Sequence, residues 1–566
     1  MSLLKKNFTL LACLFISQII YSASRSDQDL IPVNHWVYKS LHTIELESKT
    51  LTFSDRAPLS ISEFSTYFSE IDYDKLSEPG KKEYERIQSF LDEKNFSFNA
   101  GIFSIGIEPS INPEFYISSD MGTDKNEFIP LLYDYTKKLP LIDLPIKFSI
   151  GDYLSAMMGL QLRQSRATSE EPATFFNDFF DPQRLDCTYT HDTYLSAGYT
   201  WDNNVGINLR NGLFQQVFGY SFMPSAIQSE YLTDTPNINL RIFSPLFAYD
   251  LNITQFTRSS YLYTHRLEFR LFKIFEISFI EGVFVNDNFD LRYINPLAIF
   301  HGMGLFYEYP EPLKVNSLFS LKASVVPIKN MRIYVLYTQN EHQLISELQG
   351  GGTETPEGFA VQPGIEYKLP LKKGYLHFGT EAYYASPFLY IKDTPMVSFA
   401  RIYRDICNAS GNYYYQWMGN PLGPDTIAAQ VSIGYDEPGH WSLDLIYNFV
   451  AKGEFGGDNA LRKSGWDFYS NNTDKDLTDP VNWPYAHNDK RSFSSPSGIP
   501  EFTNSISLKA SICPIRWLTI NIQPSYIFVN NFKNMPGINR QSFQLVLSTK
   551  IELIKIPSKE LAIQIN

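Results

Sequence analysis

FAYDLNITQFTRSSYLYTHRLEFRLFKIFEISF, from Phe247 to Phe279, is the stretch on which the fold turns. Phe247, Tyr249, Leu251 and Ile253 alternate with Ala248, Asp250, Asn252 and Thr254. The rhythm resumes at Tyr261, where Tyr263, His265, Leu267 and Phe269 face one way and Thr264, Arg266, Glu268 and Arg270 the other. Successive side chains of a strand point to opposite faces, so each strand has one face suited to hydrocarbon and one suited to water. Charged residues on the polar face are ordinary in the lumen of a transmembrane β-barrel. A soluble β-sandwich with one wet face has the same pattern, and this stretch alone serves both.

Features outside it separate them. Lys5 and Lys6 precede an apolar run from Phe8 to Ile20, and small residues Ser22, Ala23 and Ser24 follow, as in a secretory signal peptide cleaved after Ala23 or Ser24. A lipoprotein reading at Cys13 is disfavoured, because the apolar run continues past it. No later stretch approaches the ~20 apolar residues of a membrane helix. An exported chain without a helical span can still sit in a bilayer as a closed barrel. Aromatic residues, 15% of the chain, suit the interfacial girdles of such a barrel. Loss of Lys5 and Lys6 moves the net charge from −13 to about −15, which argues against nucleic acid as a partner.

The chain divides into a signal peptide (1–23), a helical segment (24–95) and a β-rich remainder (96–566). In the helical segment, Asn34 precedes Val37, Leu41 and Ile44. Ser60 and Glu63 form a capping box before the stripe Phe64, Tyr67, Phe68 and Ile71, and Ser77 precedes Glu78–Pro79. These predict three short helices on the periplasmic side. Seventeen strand candidates follow, among them 98–108, 145–163, 247–256, 261–272 and 541–556, with fainter ones near 114–118, 398–404 and 561–566. Tight turns at 273–274, 327–330 and 437–440 alternate with long connections such as 164–191, 286–317, 386–427 and 453–503, the arrangement of short periplasmic turns and long outer loops. The expectation is a single-chain antiparallel outer-membrane β-barrel of 16–18 strands, 18 preferred.

Several strings carry more than periodicity: His265–Arg270, then Leu291-Arg292-Tyr293-Ile294-Asn295-Pro296-Leu297 with Phe300-His301, Ile333–Tyr337 with Glu341-His342-Gln343, Asn420–Asp425, and Tyr447–Glu454. In this order they resemble the capsule-assembly outer-membrane barrel family, the Wzi-like proteins. The resemblance implies a large barrel with an N-terminal helical bundle at its periplasmic end, and a lectin-like role in binding or organising surface polysaccharide, with no enzymatic activity. Asn566 departs from the terminal aromatic of many outer-membrane proteins. Locally, Asn34-His35-Trp36-Val37-Tyr38 with Pro58 and Glu63-Phe64 looks like an S-layer-homology module, which implies cell-wall contact through residues 31–95, although Ser62 stands where such modules often carry a basic residue.

Candidate ligand-binding residues follow. Arg266, Glu268 and Arg270 on one lumen-facing row are either an ion-pair ladder bracing the wall or a charged surface for acidic sugar, since the Arg fork pairs a carboxylate bidentately. Trp417 is an interface anchor or a sugar platform. Loop 453–503 carries Trp466, Tyr469, Trp483 and Tyr485 among acidic residues, faces on which sugar rings stack. Asn295-Pro296 predicts a turn in a loop folding inward. Asp474-x-Asp476 fails as a calcium loop, because Tyr485 stands where Glu is needed. No catalytic spacing such as HExxH or GxSxG is present, and no metal or cofactor is expected. Cys187 and Cys407 could pair if both lie on outer loops. The alternatives to a glycan-binding barrel are a general or substrate-specific porin and a wall-tethered structural barrel. Outer-membrane lipid is a partner of all three.

Overall fold

The computed structural model describes residues 23–52, 54–95, 97–120, 140–164, 185–232, 235–300, 315–341, 357–391, 397–404, 413–454 and 494–553. The remaining expectations about 1–22, 405–412, 455–493 and 554–566 lie outside these residues. That set includes Trp466, Tyr469, Trp483, Tyr485, the Asp474 motif, Cys407 and Asn566.

Eighteen antiparallel strands close into a barrel. β1 is one bent strand made of Phe103–Ile107, Ser110–Ile111 and Glu114–Ser118, interrupted where Pro109 and Pro113 cannot donate to a ladder. β2 to β6 are Ile142–Ile150, Leu154–Gln164, Leu185–Thr200, Gly206–Leu213 and Pro236–Phe243. β7 to β12 are Phe247–Thr257, Ser260–Leu271, Phe275–Asn286, Val315–Val325, Met331–Glu341 and Gly358–Pro370. β13 to β18 are Tyr375–Ala385, Thr426–Glu437, Trp441–Lys452, Glu501–Ile515, Leu518–Asn530 and Arg540–Glu552. The seam is made by β1, whose first part pairs with β2 (Ile150↔Phe103) and whose last part pairs with β18 (Ser118↔Gln544). Ser97–Ala100 folds back along Phe103–Gly106.

The strand count reached the preferred value by an unexpected route. Residues 145–163, read as one strand, are a hairpin, with Gly151 at φ +51 in its turn. The fainter 114–118 joins 103–107 in β1. Residues 400–404 pair with 413–417 as a separate two-stranded sheet that is not part of the wall.

The alternation at Phe247–Phe279 holds along the wall. Leu267, Phe269, Phe279, Ile433, Leu445, Leu508 and Phe543 form part of an outward apolar belt, exposed in the isolated chain. The intervening Asn, Ser, Arg and Glu side chains point inward. At one end every connection is short: 151–153, 201–205, 244–246, 272–274, 326–330, 371–374, 438–440 and 516–517. The other end carries the long connections.

Three helices precede the barrel: α1 (Trp36–Ser48), α2 (Ile61–Phe68) and α3 (Glu78–Leu91). Ser60 caps α2 by accepting from Glu63 N at 3.2 Å, and Ser77 caps α3 by accepting from Gly80 N. The first helix is capped by His35, one residue after the expected Asn34. Val37, Leu41, Ile44, Phe64, Tyr67 and Ile87 share one apolar core. The three helices do not merely lie beside the barrel. They sit in its short-turn mouth, where Leu46 O accepts from Asn330 N at 2.7 Å and Leu51 N donates to Lys273 O.

The facing assignment is testable. Leu508, at the middle of β16, points to lipid, and a charge at a bilayer midplane costs roughly 2–4 kcal/mol. Leu508→Arg is expected to lower the stability of the vesicle-folded protein by about that much, measured by urea unfolding.

Candidate functional site

The polar interior is densest at the short-turn end. There the wall presents Arg210 on β5, Arg241 on β6, Asp250 on β7, Arg266, Glu268 and Arg270 on β8, Glu276 on β9 and Lys322 on β10, all almost fully buried. These are five cations and three carboxylates. The segment before α2 and α2 itself supply Asp55 and Glu63, together with Arg56. Glu63 takes Arg241 Nε at 2.7 Å, Arg210 Nη2 at 3.5 Å and the Tyr67 hydroxyl at 2.8 Å. Asp55 takes Arg266 Nη2 at 3.2 Å and pairs with Lys322. Asp250 joins Arg56 Nε at 2.9 Å to Arg241 and Arg266. Glu268 holds Arg266, Arg270 and the Ser54 hydroxyl. Burial alone would push the Asp55 carboxyl up; Lys322 and Arg266 outweigh it and hold it well below the usual range.

Arg266, Glu268 and Arg270 are therefore brought together, as the alternation predicted, and the geometry is that of the bracing ladder: their charged ends meet other charges of the same chain. In the sequence Glu63 reads as half of a capping box and as part of the S-layer-like motif, yet its carboxylate reaches across to two arginines of the wall. Asp55, Glu268 and Glu276 converge with oxygens within 4.8 Å of one another, as metal ligands can. Lys322 and Arg266 already place positive charge among them.

A second row anchors α1. His42 Nε2 lies 2.6 Å from Glu366 on β12, which also takes Arg332 Nε of β11 at 2.5 Å. Tyr375 of β13 donates to Glu47 at 2.6 Å, and Lys368 to Thr43 at 2.9 Å. Burial, with Arg332 beside it, pulls His42 down to about 4 against the opposing pull of Glu366. At neutral pH the ring is uncharged and donates Nε2–H to the carboxylate.

Above the helices, chain from the long-loop end folds inward. Val217–Phe218 pairs with Arg56–Ala57, so residues 214–232 rest directly on the N-terminal segment. Glu381 of β13 accepts from Phe222 N at 2.8 Å and Met223 N at 3.1 Å, and Gln362 accepts from Ala226 N at 2.7 Å. Gly379 leaves room for the Phe222 ring, whose Cζ lies 2.3 Å from where a Cβ would sit. Residues 386–391, 397–404 and 413–425 join from the other side: Asn420 donates to Pro224 O at 2.8 Å, and Ser229 to Gly419 O at 2.6 Å. Trp417, a candidate sugar platform, is buried here at 4% exposure, with its ring 5.8 Å from Tyr390, in a core with Met223, Phe284, Phe399 and Leu422. Asn295-Pro296 does the opposite of what the sequence suggested. Residues 287–300 fold over the outside of the wall, where Tyr293 and Phe300 cover Leu251, Tyr263 and Val283. Cys513 is half-buried, with Sγ 3.5 Å from Thr519 Oγ1.

This architecture defines an outer-membrane β-barrel with its own chain packed inside it. No family model matches the sequence, and no curated protein matches it. Among solved structures it is similar to Wzi of Escherichia coli, described as an outer-membrane protein involved in group 1 capsule assembly and a carbohydrate-binding β-barrel, at TM-score 0.55 and 12% identity over 93% of this chain and 99% of that one. OprD of Pseudomonas aeruginosa matches at TM-score 0.37 and 6% identity over 79% of this chain and 95% of that one. The channel DcaP of Acinetobacter baumannii matches at TM-score 0.33 and 10% identity over 80% and 99%.

Two outcomes check the interior. Glu63→Ala takes the carboxylate from buried Arg210 and leaves Arg241 with Asp250 alone, a loss of roughly 3–5 kcal/mol, and is expected to release the helical segment to protease while the barrel core stays intact. His42 is the second. Its pKa is depressed from 6.5 unfolded to about 4 folded, so the unfolded chain binds more protons between those values. Its contribution is complete above pH 6.5 and lost as pH falls toward 4. The urea midpoint of the wild type should fall more steeply than that of His42→Gln over this window.

Proposed function

We propose that this chain is a closed outer-membrane barrel that binds or organises surface polysaccharide and catalyses no reaction. The observation that carries the reading is the occupied interior: α1–α3 occupy the short-turn mouth through buried ion pairs, and residues 214–232 with 386–391, 397–404 and 413–425 build an apolar core above them. A conducting porin needs a continuous wet path, whereas a surface receptor needs only a rigid wall to present its outer loops. The shared fold with Wzi, over nearly the whole of both chains, supports the same reading, since that protein is named a carbohydrate-binding barrel in capsule assembly. With short turns facing the periplasm, as is usual for such barrels, the helices would plug the periplasmic end and the long connections would meet the cell surface. The wall-tethering alternative is weakened by where its motif lies. Ser60, Ser62 and Glu63 are buried against the barrel, and Trp36 packs under the Arg86 guanidinium, 3.9 Å from the ring centroid.

Planar-bilayer recording tests closure. The full-length protein is expected to give no large stable current, and deletion of residues 31–95 to open a channel. A large current from the intact protein would overturn the reading in favour of a porin. A glycan array with the refolded barrel tests the ligand, and Trp466→Ala with Trp483→Ala is expected to weaken retention on the polysaccharide it identifies.

A further inference from the structure

Along the middle of the wall, the outward row is apolar or uncharged among the described residues, with one exception. His265 on β8 and Glu281 on β9 are direct cross-strand partners. Both face outward, with His265 Nε2 3.1 Å from Glu281 Oε2. β8 has 12 residues and His265 lies midway along it. Since about 9–11 tilted residues cross the hydrocarbon, the pair stands near the bilayer centre, where ionisable side chains are costly unless shielded.

The shield is the strap 287–300. The Phe300 ring stacks on His265, centroids 3.9 Å apart and planes 16° apart. Tyr293 and Phe300 are completely buried against the wall. Tyr249 ties the strap down through its hydroxyl to Pro296 O at 3.2 Å, and Tyr263 accepts from Asp290 N at 2.9 Å.

The other face of the strap is different in kind. Leu297 is 90% exposed, Leu291 74% and Ile299 71%, with Phe289 beside them. In water this crest would be a liability. Irregular chain is barred from hydrocarbon chiefly by its unsatisfied backbone groups, and here several donors are provided for. Arg292 N is held by Asp290 Oδ1 at 2.9 Å, Leu297 N by Asn295 Oδ1 at 3.1 Å and Ala298 N by Asn295 O at 3.1 Å, while Pro296 has no N–H to satisfy. Arg292 is neutralised by Asp290 at 2.6 Å. The crest is also continuous with the apolar belt of Leu267, Phe269 and Phe279 on the same side of the barrel.

We propose that the crest Leu291, Leu297 and Ile299 is a lipid-binding surface seated among the acyl chains of the bilayer. In this sector the strap, and not the strand wall, meets the membrane, and it covers most of His265 and leaves Glu281 partly covered, the two side chains being 12% and 25% exposed. Leu297→Trp and, separately, Ile299→Trp test this in full-length protein folded into phosphatidylcholine vesicles, with Leu267→Trp as a wall reference. Both positions project from the surface, so neither substitution disturbs packing. The emission gained over wild type is expected to be blue-shifted, largely lost when the acyl chains are brominated, and little affected by acrylamide in the water, as at position 267. Emission quenched by acrylamide and untouched by brominated chains would overturn the proposal and place the strap in water. Efficient disulfide linkage between two copies of a Leu297→Cys variant, with loss of bromolipid quenching in the Trp variants, would overturn it in favour of a second copy of this chain as the occupant.

Discussion

A buried guanidinium must find a carboxylate. Between β5 and β10 the wall points more cations than carboxylates into a space without bulk water, and a charge left there unpaired costs several kcal/mol. Asp55 and Glu63 bring two further carboxylates to these cations from the N-terminal segment, and Arg56 comes with them to pair with Asp250. Residues 54–67 are thus part of the barrel's electrostatics, although they precede its first strand by some forty positions in sequence. A buried ion pair adds little net stability over apolar packing. Its value here is register: Glu63 meets both Arg210 and Arg241 only when α2 sits at one depth and one rotation in the mouth.

That seating sets the next level. Because Arg56–Ala57 pairs with Val217–Phe218, the placement of the helices fixes where residues 214–232 begin their inward path. Glu381 and Gln362 then catch the free amides of that path, and Asn420 ties it to residues 413–425. The interior changes character with height, ionic near the short turns and apolar around Trp417 and Tyr390. A single element would not fill a barrel this wide. Stacked elements do so, each hydrogen-bonded to the one below, and buried backbone groups of this kind need such partners.

How much of this is legible in the sequence depends on what the local pattern encodes. Period two encodes facing, so the wall and the lumen row Arg266, Glu268 and Arg270 could be read directly. The hairpin at 145–163 was hidden because Gly151 and Asp152 are too short an interruption to break an apolar run. Glu63 could be read as a helix cap because capping is local; its pairing with arginines nearly 150 and 180 positions away is not. Asn295-Pro296 announced a turn, but a turn carries no sign. Aromatic residues suit a barrel's packed interior and its outer face alike, and only the three-dimensional path put Phe300 on the outside.

The strap and the plug answer one physical problem on opposite faces of the same strand. β8 carries Arg266, Glu268 and Arg270 inward and His265 outward, and neither set can be left to its surroundings. Inside, Asp55 and the Ser54 hydroxyl from the N-terminal segment complete the ladder. Outside, hydrocarbon offers no polar partner at all, so the wall supplies one in Glu281 and the chain returns over the His265 ring. The alternation that marks a membrane wall sorts side chains by face. It does not guarantee that each face is clean, and where β8 departs from the rule, another part of the chain is folded against it.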